Sequence, residues 1–566
     1  MKNKLAKLSL VMVAAVFLVA SCKKTLDINQ DPNRPTTVAP NRLLPSAING
    51  VGYGLAMGYG LSQVLSVYTH QQSTREEPDQ YGATGSEFYL QQGWTALYQS
   101  GLANLEQIIK DGEASGNLRY AGIAKVLKAY TFSQLVDVFG DVPFSEALKL
   151  QEGIRSPKFD DDAAIYPQLI AMLDDGIADL KDADAPNVLV PGTDDLIYNG
   201  SAAKWIKAAN TIKLKLYTQL RKVQNVGPEV TALLAAPADL INATNESFLV
   251  PFGPNAAFDD RHPGFGDYYA TQRSNHVSPW MYEIMKGYNT GIFTGTTDPR
   301  IPYYIYNQLK ATQAPREGNQ TEYRDGPFVS IYFGSVGPDR DRSQQGTISV
   351  FGIYPVGGRY DDGGGLNVNA THGTGAAPQR MITYADRLYL EAELINAGLA
   401  PGNERTVLEN AMKESFKQID YVITTYVKPS QTVPTIYNTA ASSPMMMYIT
   451  EVLQQFDAAS AQKKLEIIMT QKWLSNIGNA VDQYTDYRRT GYPVMFDPTN
   501  PAHAPGGMVQ PPLNGDPMNP GAQKPVPVVL SRTYPASLPW HSEELNRNQN
   551  APSQKNPQTY KVFWMP

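Results

Sequence analysis

The chain has 566 residues, 42% hydrophobic, 10% aromatic and 18% charged, and its 48 basic against 54 acidic residues leave a net charge of −6. That composition supplies enough apolar surface for a packed core and excludes a disordered polyampholyte. The acidic balance excludes the basic face that a phosphate-backbone binder needs, so nucleic acid is not an expected partner.

At the N-terminus Lys2, Lys4 and Lys7 precede an apolar run of 13 residues, Leu8 to Ala20. This matches a secretory signal in length and falls short of the ~30 Å needed to span hydrocarbon. Val19-Ala20-Ser21-Cys22 follows at once and resembles the bacterial lipobox, in which the cysteine is diacylated and becomes the first mature residue. Two or three acyl chains hold a protein on a membrane where one holds it only marginally. Cys22 is the only cysteine in the chain, so no internal disulfide or CxxC zinc site can form. Loss of residues 1–21 leaves 45 basic against 54 acidic residues, a mature charge of −9. No later stretch is long and apolar enough for a transmembrane helix. No Ser/Gly-rich or strongly charged linker divides the remainder. The expected organisation is a signal peptide at 1–21, a lipidated tether at 22–45 and one large unit at 46–566.

Helical periodicity dominates that unit. Ile48 to Tyr68 and Trp94 to Ile109 carry weak stripes, and Ile123 to Phe139 a stronger one. Tyr166, Leu169, Ile170, Leu173, Ile177 and Leu180 recur on one face after the acidic start Asp160-Asp161-Asp162, which suits a helix N-terminus. Trp205, Ala208, Ala209, Ile212, Leu216 and Leu220 form a further stripe with the lysines mostly off it. Tyr384 to Ile395 and Leu465 to Ile477 repeat the pattern. The regular elements are therefore mainly α-helical, although no 34-residue self-similarity marks a solenoid. Between about residues 227 and 379 Pro, Gly, Asn and aromatic residues break the pattern, predicting long ordered loops with a short β-hairpin; 500–527 is a second such insertion. Gly52, Gly54 and Gly58 in GVGYGLAMGYG lack the spacing of a dinucleotide loop and are read as close helix packing.

Catalytic motifs are scarce. The six histidines, at 70, 262, 276, 372, 503 and 541, are scattered without zincin spacing and read as core or surface residues. There is no G-x-S-x-G elbow and no P-loop. Asp160 to Asp162, Asp174-Asp175, Asp194-Asp195 and Asp361-Asp362 read first as helix starts and solvated turns. A glycosidase needs only two well-placed carboxylates, so that alternative stays open. No cofactor is expected beyond a structural Ca²⁺ at Asp339-Arg340-Asp341 or Asp361-Asp362, neither of which has EF-hand spacing.

Several segments carry a family resemblance. LDINQDPN (Leu26 to Asn33) resembles a mature N-terminus of SusD/RagB-type outer-membrane lipoproteins. LVDVFGDVPFSEAL (Leu135 to Leu148) resembles their D-x-FGD-x-P element, and YNGSAAKWIKAANTIKLKLYTQLRK (Tyr198 to Lys222) their Trp-bearing helix. TDPRIPYY, ITYADRLYLEAEL, IIMTQKWLSNIGNAVDQYTDYRRTGYP and SRTYPASLPWHSEELNRN extend the likeness to the C-terminal region. Val481-Asp482-Gln483-Tyr484 departs from the usual acidic residue and tryptophan, and Asp486 with Arg488 is read as a structural pair there. The resemblance implies TPR-like helix pairs with ligand-carrying loops. It also implies a lipid anchor at the outer-membrane surface, a SusC-type TonB-dependent barrel as partner, and capture of oligosaccharides, or in some members peptides, without chemistry.

A sugar offers an apolar face and a hydroxyl rim, so its site needs an aromatic platform beside planar hydrogen-bond partners. Two stretches fit. HQQSTREEPDQYGATGSEFY offers Arg75, Asp79, Gln80 and Tyr81 on a loop that relatives commonly use for ligand. HPGFGDYYATQRSNHVSPW offers Phe265, Tyr268, Tyr269, Arg273, Asn275 and Trp280. Trp94, Tyr98 and Trp205 lie on helical stripes and are assigned to the core.

Overall fold

The computed structural model describes residues 38–74, 81–271, 273, 275–313, 323–336, 345–510 and 525–566. The signal segment, Cys22, Arg75, Asp79, Gln80 and Asp339 to Asp341 lie outside the described residues.

About 49% of the chain is helical, as the periodicity predicts. The principal helices are α1 Pro40–Leu55, α2 Leu61–Tyr68, α3 Phe88–Thr95, α4 Ala103–Ser115, α5 Leu118–Phe139, α6 Asp162–Lys181, α7 Ala202–Leu220, α8 Pro279–Lys286, α9 Tyr384–Asn396, α10 Glu404–Val422, α11 Pro444–Asp457, α12 Ala461–Ser475, α13 Ala480–Thr490 and α14 Ser542–Arg547. The starts of the best-striped helices are capped by their own side chains. Asp161 accepts from Ala164 N at 3.0 Å ahead of α6, and Thr383 and Asp386 form a reciprocal capping box on α9. α4, α5, α6 and α7 each pack on the helix before, as do α9 and α10. This is the helix-pair stacking that the resemblance implies. Where α5 crosses α6 the backbones nearly touch: a Cβ on Gly122 would lie 2.8 Å from Gly176 O.

Two segments differ from the sequence reading. Ile48 to Tyr68 is two helices, because residues 56–60 leave helical geometry and Gly58 turns with φ +88°. Gly52 and Gly54 do serve close packing, since added Cβ atoms would lie 2.6 Å from Val250 and Leu97 side-chain atoms. The Trp94 segment starts at Phe88 and runs through a π-helical turn, Ala96–Leu102, into α4.

Strands are short and paired in twos: β1 Gln72–Thr74, β2 Phe248–Val250, β3 Asn275–Val277, the hairpin β4 Tyr323–Asp325 with β5 Phe328–Ser330, and β6 Gln379–Ile382. β2 pairs with β6 and β1 with β3, both antiparallel.

The helical core encloses charges. Asp137, fully buried on α5, accepts from Gln219 Nε2 at 2.9 Å, Trp564 Nε1 at 3.1 Å and the Tyr166 hydroxyl. Glu393 of α9 bridges Arg221 at 2.7 Å and Arg489. Asp486 pairs with Arg489 at 2.9 Å and Lys472 at 2.7 Å, not with Arg488. Residues two apart on a helix point away from each other, whereas three apart share a face. Arg488 instead donates to Ala536 O at 2.7 Å and to Asp137 O. The segment before Pro493 is thus structural, as expected, with a different pairing.

Candidate functional site

The two stretches singled out for ligand contact lie roughly 200 positions apart, and the β1–β3 ribbon joins them. Gln72 faces Val277 and Thr74 faces Asn275. Ser73 Oγ donates to Ile331 O at 2.5 Å and Ser330 Oγ to Val277 O at 2.5 Å, which bolts the ribbon to the β4–β5 region. β1 leads toward Tyr81; β3 follows Arg273 and precedes α8, which carries Trp280.

Most of the expected contact residues are buried here, which corrects their assignment as an open platform. Phe265 and Tyr268 are 0% exposed and Tyr269 is 2% exposed. Phe265 and Tyr269 stack at 4.7 Å; Tyr268 accepts from Gln72 Nε2 at 2.8 Å, and Tyr269 donates to Phe351 O at 3.1 Å. Asn275 Nδ2 donates to Asp267 Oδ2 at 2.9 Å. Arg273 spends its guanidinium on backbone, donating to Gln345 O and Val368 O at 2.5 Å each and to Tyr268 O. The loop needs an apolar centre of its own, and these rings supply it.

Tyr81 and Trp280 are also mostly buried, yet each borders a concavity. Tyr81 sits with its hydroxyl 2.9 Å from His70 Nε2, beside a hollow of about 350 Å³ rimmed by Tyr487, Arg532 and Tyr534. Trp280 donates Nε1 to Val494 O at 3.0 Å and lies 4.7 Å from the His503 ring, in a hollow of about 290 Å³ that also holds Glu283. Burial raises the Glu283 carboxyl to about 7, against a 2.6 Å hydrogen bond from Tyr332.

A larger concavity, about 520 Å³, opens beside the ribbon between Tyr53, Tyr59, Phe88 and Tyr89 on one side and Asp259, Arg261 and Arg273 on the other. Phe88 is 61% exposed. Tyr53 and Tyr59 meet edge to face at 5.7 Å, and Phe88 and Tyr89 at 5.4 Å. Tyr59 donates to Gln92 Oε1 at 2.7 Å; Arg261 holds Asp259 at 2.6 Å and lies 5.3 Å over the Phe265 ring. Burial, then Asp259 and Asp260, raise the Tyr53 hydroxyl, so it remains a neutral donor. The buried rings Phe265 and Tyr269 thus back this wall, and the open rings come from elsewhere. Phe88 was within the first quoted stretch. Its signal is that it lies off the inner face marked by Leu90, Trp94 and Leu97.

The histidines serve the backbone. His262 accepts from Gly264 N, His503 from Asp497 N and His541 from Glu544 N. Asp361 and Asp362, expected as a Ca²⁺ alternative, accept from Asn307 and from Gly364 and Gln431. Among the described residues one trio of carboxylates, Asp141, Asp161 and Asp162, brings ligand atoms within 4.8 Å and could hold a cation.

A family model described as starch-binding, associating with outer membrane, matches residues 32–511. The chain belongs to the SusD-like family. No curated protein matches the sequence. Among solved structures, a chitin-binding SusD homologue from Flavobacterium johnsoniae superposes with a TM-score of 0.59 at 18% identity, covering 93% of this chain and 96% of its own. A SusD homologue from Bacteroides fragilis gives 0.63 at 18%, covering 93% and 99%. A SusD/RagB family protein from Bacteroides thetaiotaomicron gives 0.63 at 19%, again covering 93% and 99%. These likenesses establish the SusD-like helical fold. Among the described residues no helix is long and apolar enough to cross a membrane.

Proposed function

We propose that this SusD-like protein captures oligosaccharides at the outer-membrane surface, anchored through lipid on Cys22, and passes them to a SusC-type TonB-dependent barrel without altering them. The observation that carries the ligand class is the concavity that sets Phe88, Tyr53 and Tyr59 opposite Arg261 and Asp259, ring faces beside a charged hydrogen-bonding rim. The chitin-binding neighbour and the starch-binding family description support the same class. Binding without hydrolysis suits the carboxylates present: Asp259 is held by Arg261, and Asp267 by Asn275. Calorimetry of the protein against oligosaccharide and peptide panels tests the reading. Saturable glycan binding with the glycan recovered intact is expected; released products, or peptide binding alone, would overturn it. For the anchor, Cys22→Ala should release the protein from membranes with ligand affinity unchanged, and retention in a strain lacking the barrel would overturn that assignment.

A further inference from the structure

A second concavity lies on the same helix as Phe88. It measures about 220 Å³ and opens between Trp94, Tyr98 and Gln99 on one bank and His541, Glu544 and Arg547 on the other. The Tyr98 hydroxyl donates to Pro143 O at 2.8 Å, which fixes its ring, and the Trp94 ring is 12° from parallel to His541 at 6.0 Å. Arg547 pairs with Glu543 at 2.7 Å with its side chain 81% exposed. The far bank is tied to the start of α3, since Ser86 Oγ donates to Ser542 Oγ at 3.0 Å and Ser542 N to Gly85 O at 3.0 Å.

Phe88, Gln92, Thr95 and Gln99 recur along one face from the first concavity to the second. Phe88 borders the first and Thr95 and Gln99 the second, while Gln92 accepts from Tyr59 of the first. Eleven residues at ~1.5 Å each span ~16 Å, more than one or two sugar rings bridge. The π-helical turn begins at Ala96, where the second concavity opens. α1 presses on this turn: a Cβ on Gly50 would lie 2.5 Å from Gly101 N. π turns inserted in α-helices frequently mark functional sites.

We propose that the exposed face of α3 is a continuous glycan track, with aromatic walls at both ends and amide side chains between, so that the protein selects long chains over short ones. This rests on the glycan reading of the first concavity and adds chain length to it. A polysaccharide alternates apolar ring faces and hydroxyl edges, and the track offers both kinds of partner along its length.

The test compares the disaccharide and hexasaccharide of N-acetylglucosamine, and maltose with maltohexaose, by calorimetry on the wild type and three variants. The hexasaccharide of the recognised repeat should bind at least ten-fold more tightly than its disaccharide. Thr95→Trp, which fills the middle of the track, should bring the hexasaccharide down to the disaccharide level without weakening the disaccharide. The double variant Gln99→Ala with Arg547→Ala should reduce the hexasaccharide advantage several-fold. Equal affinity for the two lengths in the wild type, or an advantage that survives Thr95→Trp with native circular dichroism, overturns the track and leaves the first site standing. Phe88→Ala separates the two claims, because it should weaken both lengths. If neither repeat binds at either length, the glycan reading falls and the track falls with it.

Discussion

The helical scaffold and the loop region around the β1–β3 ribbon bury comparable side chains but satisfy their polar groups differently. In the scaffold charges meet charges: Glu393 with Arg221 and Arg489, Asp486 with Lys472, Lys215 with Asp482 at 2.7 Å. In the loops side chains meet backbone: Arg273 serves three carbonyls, and Ser73, Ser330 and Tyr269 one each. Helices consume their own peptide groups, leaving buried side chains to pair with one another; irregular backbone leaves its carbonyls for side chains to find. Conspicuous charge in the scaffold is therefore structural, and the open residues of the loop region are where ligand chemistry is to be sought.

The largest break in this contrast is expected at Glu393. Burial pushes its carboxyl up, but Arg221 and Arg489 more than reverse this and hold it at about 2. Glu393→Gln strands two buried guanidinium groups and should cost about 3–5 kcal/mol, read by urea denaturation. The folded carboxylate releases its proton more readily than the unfolded one. Its contribution is therefore present above pH ~4.5 and lost as pH falls toward 2, a slope that the Gln variant should lack.

Arg273→Ala should cost less, about 2–3 kcal/mol, and act locally. Faster amide exchange is expected near residues 268, 345 and 368, with the α5–α6 pair unchanged. Exchange rising everywhere would show that the loops and scaffold are not separable.

Phe88→Ala should leave stability within ~0.5 kcal/mol yet weaken glycan binding about ten-fold, or roughly 1.4 kcal/mol. An unchanged affinity would move the site to the Tyr81 or Trp280 hollow.

Glu283 gives the smallest effect. With its folded value raised to about 7, the folded protein holds a proton that the unfolded chain releases near 4.5, so stability falls as pH rises through that window. Glu283→Gln mimics the protonated form. Its Tm should match the wild type at pH 5 and exceed it at pH 8, by on the order of 1 kcal/mol.

Much of the scaffold is legible because helix periodicity is local: the faces of α6 and α7 stand in the sequence as they stand in the structure. Even there the breaks are harder to see, as between α1 and α2, where glycine tolerates both a helix and a turn. The site is legible in location but not in roles. Tyr268 and Phe88 both sit among Gly, Asp and Glu, and nothing periodic separates a buried loop ring from an open one. That difference arises from β1 pairing with β3 across some 200 positions, a contact that no local pattern encodes.

The Asp137 carboxyl has a consequence for how the protein is assembled. Its partners lie 29, 82 and 427 positions away, at Tyr166, Gln219 and Trp564. The first two arrive with neighbouring helices, but the indole must return across almost the whole chain, and closing so wide a loop is entropically slow. Until it docks, this flank of α5 is an unsealed seam with an acid at its edge. Pulsed exchange should find the seam closing last, making the indole the latch that separates a nearly finished molecule from a finished one.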